Sequence, residues 1–126
     1  MAKATVMLIE DDRSMLLLLQ TLLEIEGFRV LTLKNDTELE KILSEVRAEK
    51  PDLLLVDVHL YHLSGLELVR QLRGGREIGA LRILMTSGMD MRNECAQAGA
   101  DGFLLKPFMP DDLVARINQL LPLAGG

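Results

Sequence analysis

Four short apolar runs in this 126-residue chain each lead into a residue that could do chemistry. Thr5 to Ile9 runs into Glu10, Asp11 and Asp12, Leu53 to Val56 into Asp57, Leu81 to Thr86 into Ser87, and Gly102 to Leu105 into Lys106. As strands of one parallel sheet, these runs would present their ends at one edge, where open α/β sheets bind ligands. Glu10, Asp11, Asp57, a hydroxyl and an ammonium would then converge on one crevice. Two carboxylates about 4 Å apart repel by about 4 kcal/mol at an effective dielectric near 20. Such a cluster takes up protons or attracts a cation. One or two protein carboxylates, completed by waters and a phosphoryl oxygen, are the habit of magnesium. Asp57 is left to act as a nucleophile toward phosphorus. The ion and Lys106 would neutralise the phosphoryl oxygens, Ser87 would donate a hydrogen bond to one of them, and the product is an acyl phosphate on Asp57.

The elements that must position these groups follow from periodicity. Leu53 to Val56 is an unbroken apolar run between turn signals, which reads as a central strand buried on both faces. Ser14 to Glu26 reads as a helix with Leu16, Leu19 and Leu23 on one face and Leu18, Leu22 and Ile25 beside them. So broad an apolar face predicts a helix wedged between the sheet and its neighbours, stopped at Gly27. Phe28 to Leu33 is the second strand. Asp36 is suited to cap the next helix, in which Leu39, Ile42, Leu43 and Val46 recur at helical spacing. Ser64 and Glu67 have the spacing of a capping box and open a helix through Leu66, Val69 and Leu72 to Gly74 and Gly75. Asp90 to Ala98 is polar and alanine-rich and reads as the least firmly packed helix. Pro110, with Asp111 and Asp112, starts the last helix, whose core face is Leu113, Val114, Ile117, Leu120 and Leu121 and which Pro122 ends. Fivefold alternation of strand and helix predicts a mostly parallel sheet with helices on both faces, and leaves the strand order open.

The length suits one domain, residues 1–126, with about 122–126 as a tail or the start of a linker. A net charge of -5 argues against direct nucleic-acid binding, which needs clustered Lys and Arg. The single cysteine, Cys95, suits a reducing compartment, and no apolar run reaches the roughly 18 residues of a membrane span. The first residues meet three acids too soon for a signal-peptide core. A cytoplasmic location is the resulting expectation.

The motif pieces Leu8-Ile-Glu-Asp-Asp12, Pro51-Asp-Leu-Leu-Leu-Val-Asp57, Gly65, Met85-Thr-Ser-Gly88 and Gly99-Ala-Asp-Gly-Phe-Leu-Leu-Lys-Pro-Phe108 stand in order along essentially the whole chain. Together they resemble the receiver domain of response regulators from two-component signal transduction systems. The resemblance implies a flavodoxin-like, doubly wound five-stranded parallel sheet of order 2-1-3-4-5 with five helices. It implies a phosphoacceptor at Asp57, Mg2+ held by Asp11, Asp57 and the His59 carbonyl with Glu10 acting through water, and a cis bond before Pro107. The switch pair it implies is Ser87 and Phe103, the latter lacking the hydroxyl of the commoner tyrosine. The implied partners are a sensor histidine kinase or phosphotransfer protein and an output domain or effector reached through the fourth helix, fifth strand and fifth helix. Asp101 and Arg116 resemble the dimerising face of some relatives, although Gly102 stands where a second acid is common, so a homodimer is a further expectation.

Tyr61 stands where a proline is frequent, and His59 is the second residue after the phosphoacceptor. His59 and Met89 are expected to govern how quickly water reaches the acyl phosphate. His59 and His62 could also suggest a transition-metal site, but the adjacent carboxylate has another use. The competing function is a magnesium-dependent phosphohydrolase working through an aspartyl phosphate. Such enzymes carry an acid two residues past the nucleophile, where this chain has His59. A receiver-like interaction domain that works without phosphate is disfavoured by the complete acid, Ser and Lys set. The chain is therefore expected to catalyse only its own phosphorylation and slow dephosphorylation.

Overall fold

The computed structural model describes residues 4–33, 38–61, 63–75 and 80–121. In chain order the elements are β1 (Thr5–Ile9), α1 (Arg13–Ile25), β2 (Arg29–Thr32), α2 (Leu39–Glu49), β3 (Leu53–Asp57), α3 (Gly65–Gly74), β4 (Arg82–Ser87), α4 (Arg92–Ala98), β5 (Gly102–Leu105) and α5 (Pro110–Leu120). The five strands form one sheet of order β2-β1-β3-β4-β5, and every neighbouring pair is parallel. This is the expected doubly wound order.

Alternation along the strands feeds two apolar layers, because successive side chains point to opposite faces. Met7, Leu54, Val56, Ile83, Met85 and Phe103 meet Ile42, Leu43 and Val46 of α2, Leu68, Val69 and Leu72 of α3, and Cys95 and Ala98 of α4. On the other face Val6, Leu8, Leu53, Leu55, Leu84 and Leu104 meet Leu19 and Leu23 of α1 and Leu113 and Ile117 of α5. All five residues of β3 are buried, so its run of leucines and valine serves both layers. Full burial of each such side chain contributes roughly 1.5–3 kcal/mol, which fixes β3 and the aspartate at its end.

The expectation that α1 is wedged between neighbours is corrected. Leu19 and Leu23 are buried, and Leu16 and Leu22 are packed at the flank, but Leu18 and Ile25 are 60% and 76% exposed. A helix laid on one face of a sheet buries a single stripe, and the residues beyond it look outward. The helix starts where Asp12 Oδ1 accepts the Met15 N–H at 3.0 Å and ends before Gly27, whose φ of 97° only glycine adopts without strain. The Ser64 capping box is half formed. Ser64 Oγ accepts the Glu67 N–H at 3.3 Å, while the Glu67 carboxylate turns along the helix to Arg70 and Gln71. Helix α4 is the shortest of the five and buries only Cys95 and Ala98, in keeping with its sparse apolar pattern. The expected cap Asp36 and the expected stop Pro122 lie outside the described residues, and α2 starts after Glu38, which makes no side-chain cap hydrogen bond.

Candidate functional site

The parallel sheet brings the ends of β1, β3, β4 and β5 to one edge. Asp57 closes β3, pairs in register with Thr86, and is nearly buried. Its Oδ1 accepts the His59 N–H at 3.0 Å, and its Oδ2 lies 2.5 Å from Lys106 Nζ. The same ammonium reaches Glu10 Oε1 at 3.2 Å. Glu10 Oε2 in turn accepts the Asp12 N–H at 3.2 Å, and Asp11 Oδ2 accepts the backbone N–H of Tyr61. Ser87 is fully buried, and its Oγ accepts the Met89 N–H at 3.1 Å. That leaves the hydroxyl proton of Ser87 available for another acceptor.

Local backbone structure sets these positions. Lys106 N–H donates to the Ser87 carbonyl at 2.8 Å, extending the β4–β5 pairing by one residue, and the Lys106–Pro107 peptide is cis as expected. On the other side Val58 N–H donates to the Thr86 carbonyl at 2.9 Å. The loop between β3 and α3 is closed by a bridge between His59 and Ser64 and by the Gly65 N–H on the Val58 carbonyl at 2.9 Å. Gly65 lies directly on the Asp57 backbone. A Cβ there would overlap the Asp57 carbonyl oxygen and sit 3.0 Å from Val58 Cα.

The charges are unbalanced. Glu10, Asp11 and Asp57 bring three carboxylates to one ammonium, an excess of two negative charges. Burial, reinforced by the charge of Asp57, raises the Glu10 pKa above its ordinary value against the lowering effects of the Asp12 N–H and Lys106. Burial alone would push Lys106 down, but its hydrogen bond to Asp57 and the charges of Asp57 and Glu10 outweigh it, and its pKa is raised. Lys106 is therefore a held cation.

Among the described residues no three His, Cys, Asp or Glu side chains form a metal cage by themselves. Magnesium does not need one, since it takes one or two carboxylates and keeps several waters. The partly exposed Asp11 carboxylate, the Asp57 carboxylate and the excess negative charge fit such an ion. The His59 carbonyl belongs to the same loop, whereas the His59 side chain is exposed and His62 lies outside the described residues.

Phe103, the expected aromatic switch, is only 6% exposed and packs in the layer with α4, and its carbonyl accepts Arg116 Nη1 at 3.0 Å. Asp101, which the sequence likens to a dimerising face, is engaged within the chain. Arg73 of α3 and the Ile83 N–H both bind its Oδ2, at 2.6 and 2.8 Å. The signal for that pairing was absent from the sequence, because 28 residues separate Arg73 from Asp101.

A family model described as the response regulator receiver domain matches residues 6–118. The phosphate regulon transcriptional regulatory protein PhoB of Rhizobium meliloti is 37% identical over 116 residues, covering 90% of this chain and 50% of that protein. The alkaline phosphatase synthesis transcriptional regulatory protein PhoP of Bacillus subtilis is 34% identical over 119 residues, covering 92% of this chain and 48% of that protein. The chain thus spans about half the length of the curated relatives it matches. A solved response regulator from Thermotoga maritima is 31% identical with a TM-score of 0.75, covering 92% of this chain and 95% of that one.

Proposed function

This chain belongs to the response regulator receiver family, and on that premise we propose that Asp57 accepts a phosphoryl group from a histidine kinase or phosphotransfer protein. The observation that carries the assignment to Asp57 is its ion pair with Lys106 at 2.5 Å, in a crevice that also holds Glu10, Asp11 and Ser87. A nearly buried carboxylate at a strand end, gripped by a lysine from a neighbouring strand end, is held in one orientation toward the crevice.

An Asp57 oxygen forms a bond to phosphorus as the bond from phosphorus to the donor imidazole breaks, and the electron pair leaves with the imidazole. Lys106 follows the charge from the carboxylate to the phosphoryl oxygens. The Ser87 hydroxyl donates to one of those oxygens, which supplies a fixed dipole where negative charge collects. Asp11, Asp57 and the His59 carbonyl would hold Mg2+, with Glu10 acting through water, and the ion would neutralise the phosphoryl charge. The chain catalyses only this transfer and the slow hydrolysis in which water takes the phosphoryl group, releasing inorganic phosphate and restoring the Asp57 carboxylate. His59 stands where a phosphohydrolase of this chemistry would carry an acid, which favours the receiver reading. The phosphoryl group alters the surface of α4, β5 and α5 through Ser87 and Phe103, and that surface passes the signal to an output domain, an effector or a second copy. A cytoplasmic site of action fits the single free thiol, Cys95.

Mass spectrometry after incubation with acetyl phosphate tests the reading. A single phosphoryl adduct that needs magnesium and disappears in Asp57→Asn is expected. An unmodified chain under those conditions would overturn it.

A further inference from the structure

Tyr61 is bound to the crevice by its backbone, and among the described residues its ring makes no hydrogen bond there. Its side chain is 78% exposed, yet its N–H points at Asp11 Oδ2, fifty residues earlier in the sequence. The loop that carries it is short and held at both ends. The His59–Ser64 bridge and the Gly65 N–H on Val58 fix its base, and Gly65 lies against the Asp57 carbonyl. Between these anchors, the Tyr61 amide reaches the acid that follows the first strand.

A carboxylate that accepts an N–H and a carboxylate that binds a cation are in conflict when the donor approaches the oxygen the cation needs. The N–H carries its positive end toward the oxygen, so an ion there meets a like partial charge as well as an occupied lone pair. We infer that the Tyr61 backbone N–H competes with the divalent ion for Asp11, so that this amide is latched on the acid in the ion-free chain and moves off it when the ion binds. The inference deepens the proposed function, on which its metal site rests. It makes Tyr61 a positioning residue acting through Asp11.

Any residue but proline supplies this N–H, so the side chain is irrelevant and the backbone donor is decisive. A charge-assisted hydrogen bond lost on ion binding corresponds to roughly a tenfold weakening of affinity. Calorimetric titration with Mg2+ should therefore show Tyr61→Pro binding roughly tenfold tighter than the parent and Tyr61→Ala binding as the parent does. Equal affinity of the parent and the proline variant would overturn the inference.

The chain offers a second reading that needs no variant at position 61. Tyr61 is its one tyrosine, so protein labelled only with 15N-tyrosine has a single backbone amide resonance. That resonance should shift saturably as Mg2+ is added, and in Asp11→Asn it should begin displaced from the parent position and stay unmoved. A parent resonance that stays still while calorimetry records Mg2+ binding would refute the latch. The two readings separate the latch from the receiver chemistry. An Asp57 adduct with an unmoved tyrosine amide removes the latch alone, and a moving amide without an adduct supports the latch and removes the phosphoacceptor.

Discussion

Arg73 on α3 and Asp101 ahead of β5 hold each other at 2.6 Å, and between them they tie three segments of the chain together. Arg73 Nε also donates to the Gly99 carbonyl at 2.7 Å and Nη1 to the Leu81 carbonyl at 2.9 Å. Asp101 Oδ2 takes the Ile83 N–H as well. The pair therefore braces the far end of β4 and β5 from the phosphoacceptor edge. Its geometry is that of a structural clamp, with Arg82 Nη1 also standing 3.7 Å from Asp101 Oδ1.

Removing one partner leaves the other's hydrogen-bonding groups to find water at a partly buried site. Asp101→Ala should lower unfolding stability by about 2 kcal/mol, the range for hydrogen bonds to charged groups. Arg73→Met should cost a similar amount, and the double variant should fall short of their sum because the two changes share one interaction. Urea denaturation of the three variants measures this, and strict additivity would exclude the clamp.

Gly65 gives a second stability prediction with a chemical readout. Gly65→Ala sets a methyl against the Asp57 carbonyl oxygen, so β3 and α3 must separate. Overpacking of this kind costs typically about 1–3 kcal/mol. The same displacement moves the Asp57 backbone, so phosphorylation by acetyl phosphate should slow in the folded variant. Parent-like stability and parent-like adduct formation together would contradict the close approach.

The pH dependence follows from Glu10. Its folded-state pKa is raised above 4.5 by burial, so the folded chain holds this proton more tightly than the unfolded chain. The favourable contribution is fully present below the unfolded value and is lost as pH rises through the higher folded value. Stability of the parent relative to Glu10→Gln should therefore be greatest at acid pH and decline as pH rises above 4.5. Denaturation midpoints across that window test it, and a pH-independent difference would reject the raised pKa.

Two exposed side chains flank the crevice opening, His59 two residues after Asp57 and Met89 two residues after Ser87. Met89 is anchored by its N–H on Ser87 Oγ, and the residue is exposed. Met89→Ala should admit water more freely and shorten the lifetime of the acyl phosphate, and His59→Asn should change it as well. Loss of the adduct over time by mass spectrometry measures both, and unchanged lifetimes would end the assignment.

The sheet and its helices were legible because burial leaves a periodic mark: Leu53 to Val56 without a break, and Ile42, Leu43 and Val46 at helical spacing. The chemistry was legible because Asp57, Ser87 and Lys106 each sit at the end of such a run. Helix α1 misled because Leu18 and Ile25 look the same in sequence whether they face a core or solvent. The grip of Arg73 on Asp101 and of Tyr61 on Asp11 left no local signature, since each joins distant segments through one side chain and, for Tyr61, through a backbone atom that every residue but proline has.

The ammonium that completes the crevice comes from β5, 49 residues after Asp57 and 96 after Glu10. Such nonlocal pairing is among the slower steps of folding, because long loops must close before the contacts reward them. A growing chain that has emerged only through β4 carries its aspartate and its acids but lacks the counter-charge that orients them. The charge set of the crevice is thus completed only when the last strand docks, and the Asp57 carboxylate gains its ion pair late in folding.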